Sequence, residues 1–269
     1  MDAAPPRVLT IAGSDSGGGA GIQADLKTFA AHRVFGMSVI TSVTAQNTVE
    51  VRAVHRVPPS MVRAQIEAVF DDIGVDAVKI GMLGDAETVT VVADALGERE
   101  AVPIVLDPVM VAKSGDRLLT TEAVDTLRQR LLPLATLVTP NLPEAATLAG
   151  RPQTMETEEL ARLLAPDTHG AVLVKGGHGL GEEVVDLLFC DGEVKRFRHR
   201  RRRTRATHGT GCTLSAAIAA RLAGGEAMPR AVERAIDYLQ RALAAAYPLG
   251  AGYGPVDHMV PAEAGNVDG

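Results

Sequence analysis

The sequence is poor in aromatic residues and contains no tryptophan. Five phenylalanines and three tyrosines in 269 residues leave little material for a platform on which single-stranded bases could stack. Two cysteines, Cys190 and Cys212, are too few for a disulfide framework, so a special role for either thiol would be chemical. No apolar run reaches the roughly 18–20 residues of a membrane span, and the first residues lack the apolar segment of a secretory signal. These absences favour a soluble protein in a reducing, cytoplasmic setting.

The overall composition is that of an ordinary globular protein. Apolar residues make up 46% and charged residues 22% of the chain, and the formal net charge is −6. A compact chain of this size buries roughly three quarters of its unfolded surface, so a large core is expected. Collagen-like, low-complexity and disordered classes are excluded. Since no Pro/Ser-rich linker divides the sequence, we expect a single domain over residues 1–269.

Short apolar runs alternate with helical periodicity along the chain, which is typical of βαβ units around a mostly parallel sheet. The predicted strands are 7–13, 36–46, 76–83, 102–109, 136–140 and 171–177, with 51–57 as an edge strand. The predicted helices are 20–33, 58–74 with Ser60 as N-cap, 85–97, 121–131, 143–149, 209–223 and 229–246. The Asp191-Gly192 pair inside 184–200 predicts a hairpin. The fold class predicted is α/β, with a central, mostly parallel sheet flanked by helices.

Ligands of such sheets bind outside the carboxyl ends of the strands, so the loops that follow the strands are the candidate sites. The strongest candidate is THGTGCTLSAAIAARL over 207–222. Gly209 and Gly211 allow a tight turn before a helix, so free amides at the helix start would suit a phosphoryl group. Cys212 lies in that first turn, where the helix dipole is expected to lower its pKa and favour the thiolate. The alternative is a glycine-bounded loop with a small buried cysteine.

The loop after the first strand, 13–25, contains Gly19, Gly21 and Ala24 in the spacing of a dinucleotide fingerprint. That match lies too far from the strand end, and no acidic residue closes the second strand, so the fingerprint does not fit. The second strand ends instead in Gln46, whose amide offers a paired donor and acceptor suited to the edge of a heterocycle. A polar loop residue without a ligand is the alternative.

Oxygen-bearing side chains follow two further strands. Asp107 comes at the end of one, and Asn141 and Glu144 lie three residues apart at a helix start. They could be ordinary helix caps, or they could hold a magnesium ion through water beside a phosphate site. Lys175, at the end of LVKGG, could pair with a phosphate or be solvated. The sequence has no Walker-type nucleotide motif and no metal-ligand spacing of Cys and His.

Seven stretches in chain order carry a family resemblance: IAGSDSGGGAGIQADLKTF, TSVTAQNTV, IGML, DPVMVAKSG, TPNLPEA, VLVKGGH and THGTGCTLSAAIAA. They resemble the motifs of the bacterial hydroxymethylpyrimidine/phosphomethylpyrimidine kinases of the ribokinase-like superfamily, over about residues 7–258. The resemblance implies a ribokinase-like core over that range with short flexible tails, and commonly a homodimer. It also implies ATP-dependent phosphorylation of 4-amino-5-hydroxymethyl-2-methylpyrimidine to its monophosphate and then to the diphosphate, in thiamine biosynthesis, with Mg²⁺.

The resemblance also assigns roles to individual residues. The pyrimidine pocket would comprise Gly13, Asp25, Gln46, Met82 and Val109, with Asp25 and Gln46 bonding the aminopyrimidine edge. ATP would contact Lys175 and Asn141, while Asp107 and Glu144 would organise Mg²⁺, through water. The anion hole would be formed by Gly209, Thr210 and Gly211, and Cys212 would act as the base where most ribokinase-like enzymes have Asp. A pyridoxal-type kinase and a non-catalytic binding protein for pyrimidines or nucleic acid are the rival functions.

One segment departs from the family pattern. Residues 195–205, KRFRHRRRRTR, carry one lysine and seven arginines without an acidic residue. A solvated hairpin strand would account for it, and so would a positive field that attracts ATP. A nucleic-acid-binding arm is a third alternative, although no recognised motif or interleaved aromatic residue accompanies the run. The family resemblance itself implies no nucleic-acid or membrane partner.

Overall fold

The computed structural model describes residues 4–111, 119–178 and 181–263. Within these ranges the strands are β1 (Arg7–Ser14), β2 (Phe35–Gln46), β3 (Val51–Arg56), β4 (Ala77–Ile80), β5 (Ile104–Leu106), β6 (Leu137–Val138), β7 (Ala171–Val174), β8 (Glu183–Cys190) and β9 (Glu193–Arg200). The α-helices are α1 (Gly21–Ala31), α2 (Pro59–Asp72), α3 (Ala86–Gly97), α4 (Thr121–Arg130), α5 (Leu142–Ala149), α6 (Thr157–Leu164), α7 (Thr210–Ala223) and α8 (Met228–Ala244).

The nine strands of the described ranges belong to one sheet in the order β3-β2-β1-β4-β5-β6-β7-β8-β9. The central pairs from β2 to β7 are parallel. Antiparallel strands close both edges, β3 on one side and the β8–β9 hairpin on the other. The predicted mostly parallel sheet is therefore confirmed, and the parallel order brings the carboxyl ends of β1, β4, β5, β6 and β7 to one edge.

Helices cover both faces of the sheet. Successive strand residues point to opposite sides, so the apolar side chains of the central strands must be buried on both faces. Leu9 and Ile11 of β1 belong to a core that also contains residues of α2 to α6. The side chain of Val8 points to the opposite face of the sheet from that of Leu9. Val8 therefore belongs to a second core with residues of α1, α7 and α8. The near-continuous apolar runs of the central strands are what a doubly covered parallel sheet requires.

Three local expectations had different outcomes. Asp191 and Gly192 both have positive φ, 52° and 79°, which confirms the predicted two-residue hairpin turn. Ser60 is not an N-cap: α2 begins at Pro59 after Pro58, since the fixed φ of proline suits the first helical position. Helix α6 was not predicted, although its buried residues Leu160, Ala161 and Leu164 recur at helical spacing.

Two expectations fall partly outside the described residues. The tails expected at the ends of the chain include 1–3 and 264–269, and the loop that follows Asp107 includes 112–118. Among the residues that are described, no helix combines the length and the apolar character needed to cross a membrane.

Candidate active site

A cavity of about 860 Å³ opens at the carboxyl edge of the sheet, where such folds bind ligands. Its size lies within the usual range for small-molecule sites. The cavity brings together almost all of the predicted site residues, although they lie far apart in sequence. Those on its wall are Gly13, Gln46, Met82, Asp107, Val109, Asn141, Glu144, Lys175, Gly209, Thr210, Gly211 and Cys212. Asp25 is the exception.

The glycine loop before α7 has the geometry of an anion site. Gly209 is the N-cap of this 14-residue helix and has φ +76°. A Cβ at Gly209 would lie 1.8 Å from the carbonyl oxygen of Gly19, so the two glycine-rich loops approach each other through bare backbone. Gly211 faces the charged groups of the site, since a Cβ there would lie 3.3 Å from Asp107 Oδ2 and 3.4 Å from Lys175 Nζ. The amides at the start of α7 therefore open beside a lysine.

Lys175 and Asp107 form an ion pair behind that loop. Lys175 Nζ donates to Asp107 Oδ1 at 2.7 Å, and the Asp107 side chain is almost completely buried. Burial opposes the charge on Lys175, but Asp107 and Glu144 outweigh it and raise the pKa of the lysine. Lys175 is thus a fixed cation at neutral pH, as a phosphate-binding residue requires.

Asn141 and Glu144 form a capping box at the start of α5. The Glu144 amide donates to Asn141 Oδ1 at 2.9 Å, and the Asn141 amide donates to Glu144 Oε2 at 2.8 Å. The cap interpretation is thereby confirmed, and it leaves the metal interpretation open. Burial raises the pKa of Glu144, and Lys175 opposes that shift.

The residues around the ion pair fit a magnesium ion that is bound indirectly. The described residues contain no cluster of three or more His, Cys, Asp or Glu side chains that could hold a metal. Asp107 has one oxygen on Lys175, and among the described residues its other oxygen has only a 3.4 Å contact with Ser215 Oγ. One carboxylate oxygen on the cavity side, with Glu144 nearby, suits an ion whose other ligands are water and phosphate oxygens.

Cys212 lies in the first turn of α7 with part of its surface exposed to the cavity. The predicted thiolate is not what this environment favours. Burial raises the pKa of Cys212 to about 11; Lys79 opposes the shift, and the negative charges of Asp25 and Asp107 add to it. The expectation of a lowered thiol pKa is therefore wrong for the ligand-free chain, because burial and the negative charges of Asp25 and Asp107 outweigh the positive charge of Lys79.

Asp25 is not among the residues that line the cavity, and its predicted role in holding the pyrimidine edge stays a prediction. Its side chain is completely buried and accepts hydrogen bonds from Lys79 Nζ at 2.8 and 2.9 Å and from Thr10 Oγ1 at 2.6 Å. Burial raises the pKa of Asp25 against the opposing charge of Lys79, whereas the pKa of Lys79 is raised because Asp25 outweighs its burial. Lys79 itself lines the cavity and was not predicted as a site residue.

A second part of the cavity suits a flat heterocycle. Gly13 is the position where Met82 closes in, because a Cβ there would lie 2.3 Å from the Met82 methyl carbon. Gln46 ends β2 with its side-chain nitrogen 3.3 Å from His208 Nε2. Val109 also lines the cavity. Apolar walls with one amide at the rim are a typical arrangement for orienting a small aromatic ring.

Asp15 and His208, which were not predicted as site residues, connect this pocket to the glycine loop at 209–212, called the anion loop below. Asp15 Oδ2 lies 2.8 Å from His208 Nε2, and the Asp15 carboxylate accepts from the amides of Gly17, Gly19 and Ala20 at 2.8–3.0 Å. Burial would raise the pKa of Asp15, but His208 and these amides lower it overall. The Asp-Ser-Gly sequence is typical of such a side-chain-stabilised turn and was the available signal.

Comparison with known proteins gives a consistent family. Residues 15–257 match the family described as phosphomethylpyrimidine kinase. A hydroxymethylpyrimidine/phosphomethylpyrimidine kinase of Rhizobium meliloti is 54% identical over 93% of this chain and 96% of its own length. The corresponding kinase of Streptomyces coelicolor is 52% identical over 94% of each chain. This chain spans only 53% of a thiamine biosynthesis bifunctional protein of Geobacter sulfurreducens, to which it is 51% identical.

Solved structures with the same fold include two kinds of kinase. The ADP complex of Bacillus subtilis pyridoxal kinase has a TM-score of 0.88 and 37% identity, covering 95% of this chain and 98% of that one. A phosphomethylpyrimidine kinase of Clostridium difficile has a TM-score of 0.77 and 43% identity, covering 88% and 98%. These matches confirm the ribokinase-like fold. With the family match over most of its length, the chain belongs to the phosphomethylpyrimidine kinases.

Proposed function

We propose that this chain transfers the γ-phosphoryl group of ATP to the hydroxymethyl group of 4-amino-5-hydroxymethyl-2-methylpyrimidine, and then to the resulting monophosphate, in thiamine biosynthesis. One observation carries the proposal. A single cavity contains the anion loop at 209–212, the Asp107–Lys175 pair and a heterocycle pocket beside Gln46. Phosphoryl transfer depends mainly on positioning and electrostatic stabilisation, and these three parts supply both.

The cavity residues divide the work as follows. The amides at the start of α7 and the Lys175 ammonium would bind the equatorial oxygens of the transferred group. Gln46 and the wall formed by Gly13 and Met82 would orient the ring. The substrate hydroxyl would then lie near Cys212, whose sulfur accepts its proton in the small fraction of molecules that carry a thiolate.

A magnesium ion supplies charge neutralisation between the phosphates when it is bound. Asp107 and Glu144 would hold its water ligands. Asp107 has the further task of fixing Lys175 at 2.7 Å, so its carboxylate orders the cation that meets the phosphate. Asn141 would contribute its backbone through the capping box that positions Glu144.

A coupled ADP-release assay with three alcohols tests the proposal. Hydroxymethylpyrimidine and its monophosphate should both be phosphorylated, and pyridoxal should be phosphorylated much more slowly. Pyridoxal is the right competitor because the Bacillus subtilis pyridoxal kinase has the same fold at a TM-score of 0.88. Faster turnover of pyridoxal than of either pyrimidine would replace the proposal with that activity. ADP release with none of the three would refute both.

The remaining features of the proposal concern the molecule as a whole. We expect residues of about 7–258 to act as one kinase domain and to pair as a homodimer. The edge strand β3 supports pairing, since Val54 is 49% exposed there. Sedimentation velocity tests the dimer. The two free cysteines suit a cytoplasmic enzyme, and the proposal includes no nucleic-acid or membrane partner.

A further inference from the structure

The basic run at 195–205 ends on the wall of the active-site cavity. Strand β9 finishes at Arg200, and Arg200, Arg201 and Arg202 line the cavity. The other arginines of the strand do not line it: Arg196 pairs with Glu158 and Arg198 with Glu183. The basic run therefore has two parts. Arg196 and Arg198 belong to a solvated strand, as one alternative predicted, whereas Arg200, Arg201 and Arg202 line the cavity.

The three cavity arginines differ in what holds them. Arg201 donates to the carbonyl oxygens of Gly177 and Gly181, each at 2.8 Å, and so fastens the segment after Lys175 to the hairpin. Within the described part of the chain, the guanidinium groups of Arg200 and Arg202 have no hydrogen bond or ion pair. Two cations without partners in a ligand cavity are available to an anion.

The backbone that presents these cations is fixed with respect to Lys175. The Gly176 amide donates to Asp186 Oδ1 at 2.8 Å, and Asp186 Oδ2 lies 3.0 Å from His199 Nε2. A Cβ at Gly176 would lie 2.1 Å from the carbonyl oxygen of Val185, so this approach requires glycine. Lys175 comes directly before Gly176, and Arg200 comes directly after His199. The contacts of Asp186 with Gly176 and His199 therefore fix the backbone of both residues relative to each other.

The charges on the cavity wall explain why an ATP-binding site would need these arginines. Among the described residues, two lysines and four carboxylates line it. The lysines are Lys79 and Lys175, and the carboxylates are Asp15, Asp107, Glu144 and Asp186. A nucleoside triphosphate is a polyanion, and this part of the wall alone would repel it. With Arg200, Arg201 and Arg202 included, the net charge of these lining side chains becomes positive.

We infer that Arg200 and Arg202 bind the phosphate groups of the nucleotide that are not transferred. The inference rests on the proposed function, since it takes the anion loop as the site of the transferred group. The other phosphates then extend past Lys175 towards the hairpin. A planar guanidinium group binds phosphate oxygens through two parallel hydrogen bonds. ADP keeps these phosphates, so the two arginines hold the product as well as the substrate.

Calorimetric titration of ADP and of adenosine into the full-length protein tests the inference without requiring turnover. In R200S/R202S the Kd for ADP should rise about tenfold, as expected for losing charge-assisted bonds at a partly exposed site, while adenosine binding stays the same. R196S/R198S is the matched control, because it removes two charges from the same strand outside the cavity. Its Kd for ADP should stay within about twofold of wild type. R200K/R202K should give an intermediate value.

Each contrary result has a distinct meaning. Equal loss of ADP affinity in R196S/R198S would mean a diffuse field and would overturn direct binding. Equal loss of adenosine affinity in R200S/R202S would place the arginines at the base or ribose and would also overturn it. An unchanged Kd for ADP would do the same. If the wild-type protein binds ADP but phosphorylates no pyrimidine, the proposed function fails while these titrations still decide the arginines. Wild-type protein that binds no ADP would refute both.

Discussion

Cys212 has a favourable position for proton transfer but an unfavourable charge state. With a pKa of about 11, only about one thiol in 10⁴ is ionised near pH 7, and that fraction grows about tenfold with each pH unit. If the thiolate is the base, turnover should rise with pH up to the pKa. Cys212→Ala should lower kcat by about 10²–10⁴ and abolish that rise, with ATP affinity retained. Steady-state rates between about pH 7 and 9 provide the measurement.

Two companion variants make this test specific. Cys212→Asp should recover part of the rate and depend less on pH, since a carboxyl group ionises far below a thiol. Cys190→Ala should behave like wild type, because Cys190 does not line the cavity, although burial raises its pKa to about 11 as well. Near-normal turnover by Cys212→Ala would show that catalysis requires no base from the protein.

Gln46 gives a second prediction at the scale of one side chain. Its amide lines the cavity and can bond a ring nitrogen and an exocyclic amine at once. Gln46→Leu should cost about 1–3 kcal/mol of binding and raise KM for the pyrimidine roughly 10–100-fold. KM for ATP should change little, since Gln46 lies beside His208 in the part of the cavity that suits a heterocycle. A similar rise in both KM values would contradict the assignment.

At the scale of elements, the junction of the two glycine-rich loops determines the anion site. Gly209→Ala would place a Cβ 1.8 Å from the Gly19 carbonyl and strain a residue with φ +76°. The loops must then separate, so we expect kcat to fall by at least tenfold, as for lost anion-hole donors, together with a lower Tm. Activity and thermal unfolding are measured on the same sample.

Gly225 offers a matched control for this substitution. It has φ +79° just after α7, and a Cβ there would meet nothing within 4 Å. Gly225→Ala should therefore cost only the backbone strain of about 1–2 kcal/mol and leave kcat unchanged. If the two variants lose the same stability and keep the same kcat, close approach at Gly209 has no role in the site.

Over the whole molecule, patterns local in sequence were predictable and contacts between distant segments were not. Apolar periodicity predicted the strand and helix order, and strand ends such as Asp107 and Lys175 indicated the edge where the cavity lies. The motif resemblance supplied Met82 and Val109. It also named Asp25, but it gave no sign of the buried ion pair of Asp25 with Lys79, because a contact 54 residues away leaves no mark on local spacing. The Asp15–His208 contact spans 193 residues, and only folding brings it together.

The half-buried His32 and the buried His258 make the stability of the whole fold dependent on pH. Burial lowers the pKa of His32 and of His258 to about 4 from 6.5. His258 Nε2 lies 3.0 Å from Thr213 Oγ1 of α7, and its carbonyl accepts from the Tyr238 hydroxyl of α8. The rings of His32 and Tyr238 make a T-shaped contact with their centroids 4.6 Å apart. Both rings are neutral when folded, so protonation below pH 6.5 favours the unfolded chain.

The sign of this linkage gives a measurable prediction. Above about pH 6.5 neither state takes up these protons, and the two histidines contribute no slope; from there towards about pH 4 the unfolding free energy should fall by about 1.4 kcal/mol per pH unit for each. His32→Gln and His258→Gln should each remove one such contribution in urea unfolding between about pH 5 and 6.5. His55→Gln, on the exposed strand β3, should leave the slope unchanged. Slopes that match wild type in both His32→Gln and His258→Gln would mean that other groups control acid unfolding. The contacts of His258 with Thr213 of α7 and Tyr238 of α8 would then not depend on the protonation of these two histidines.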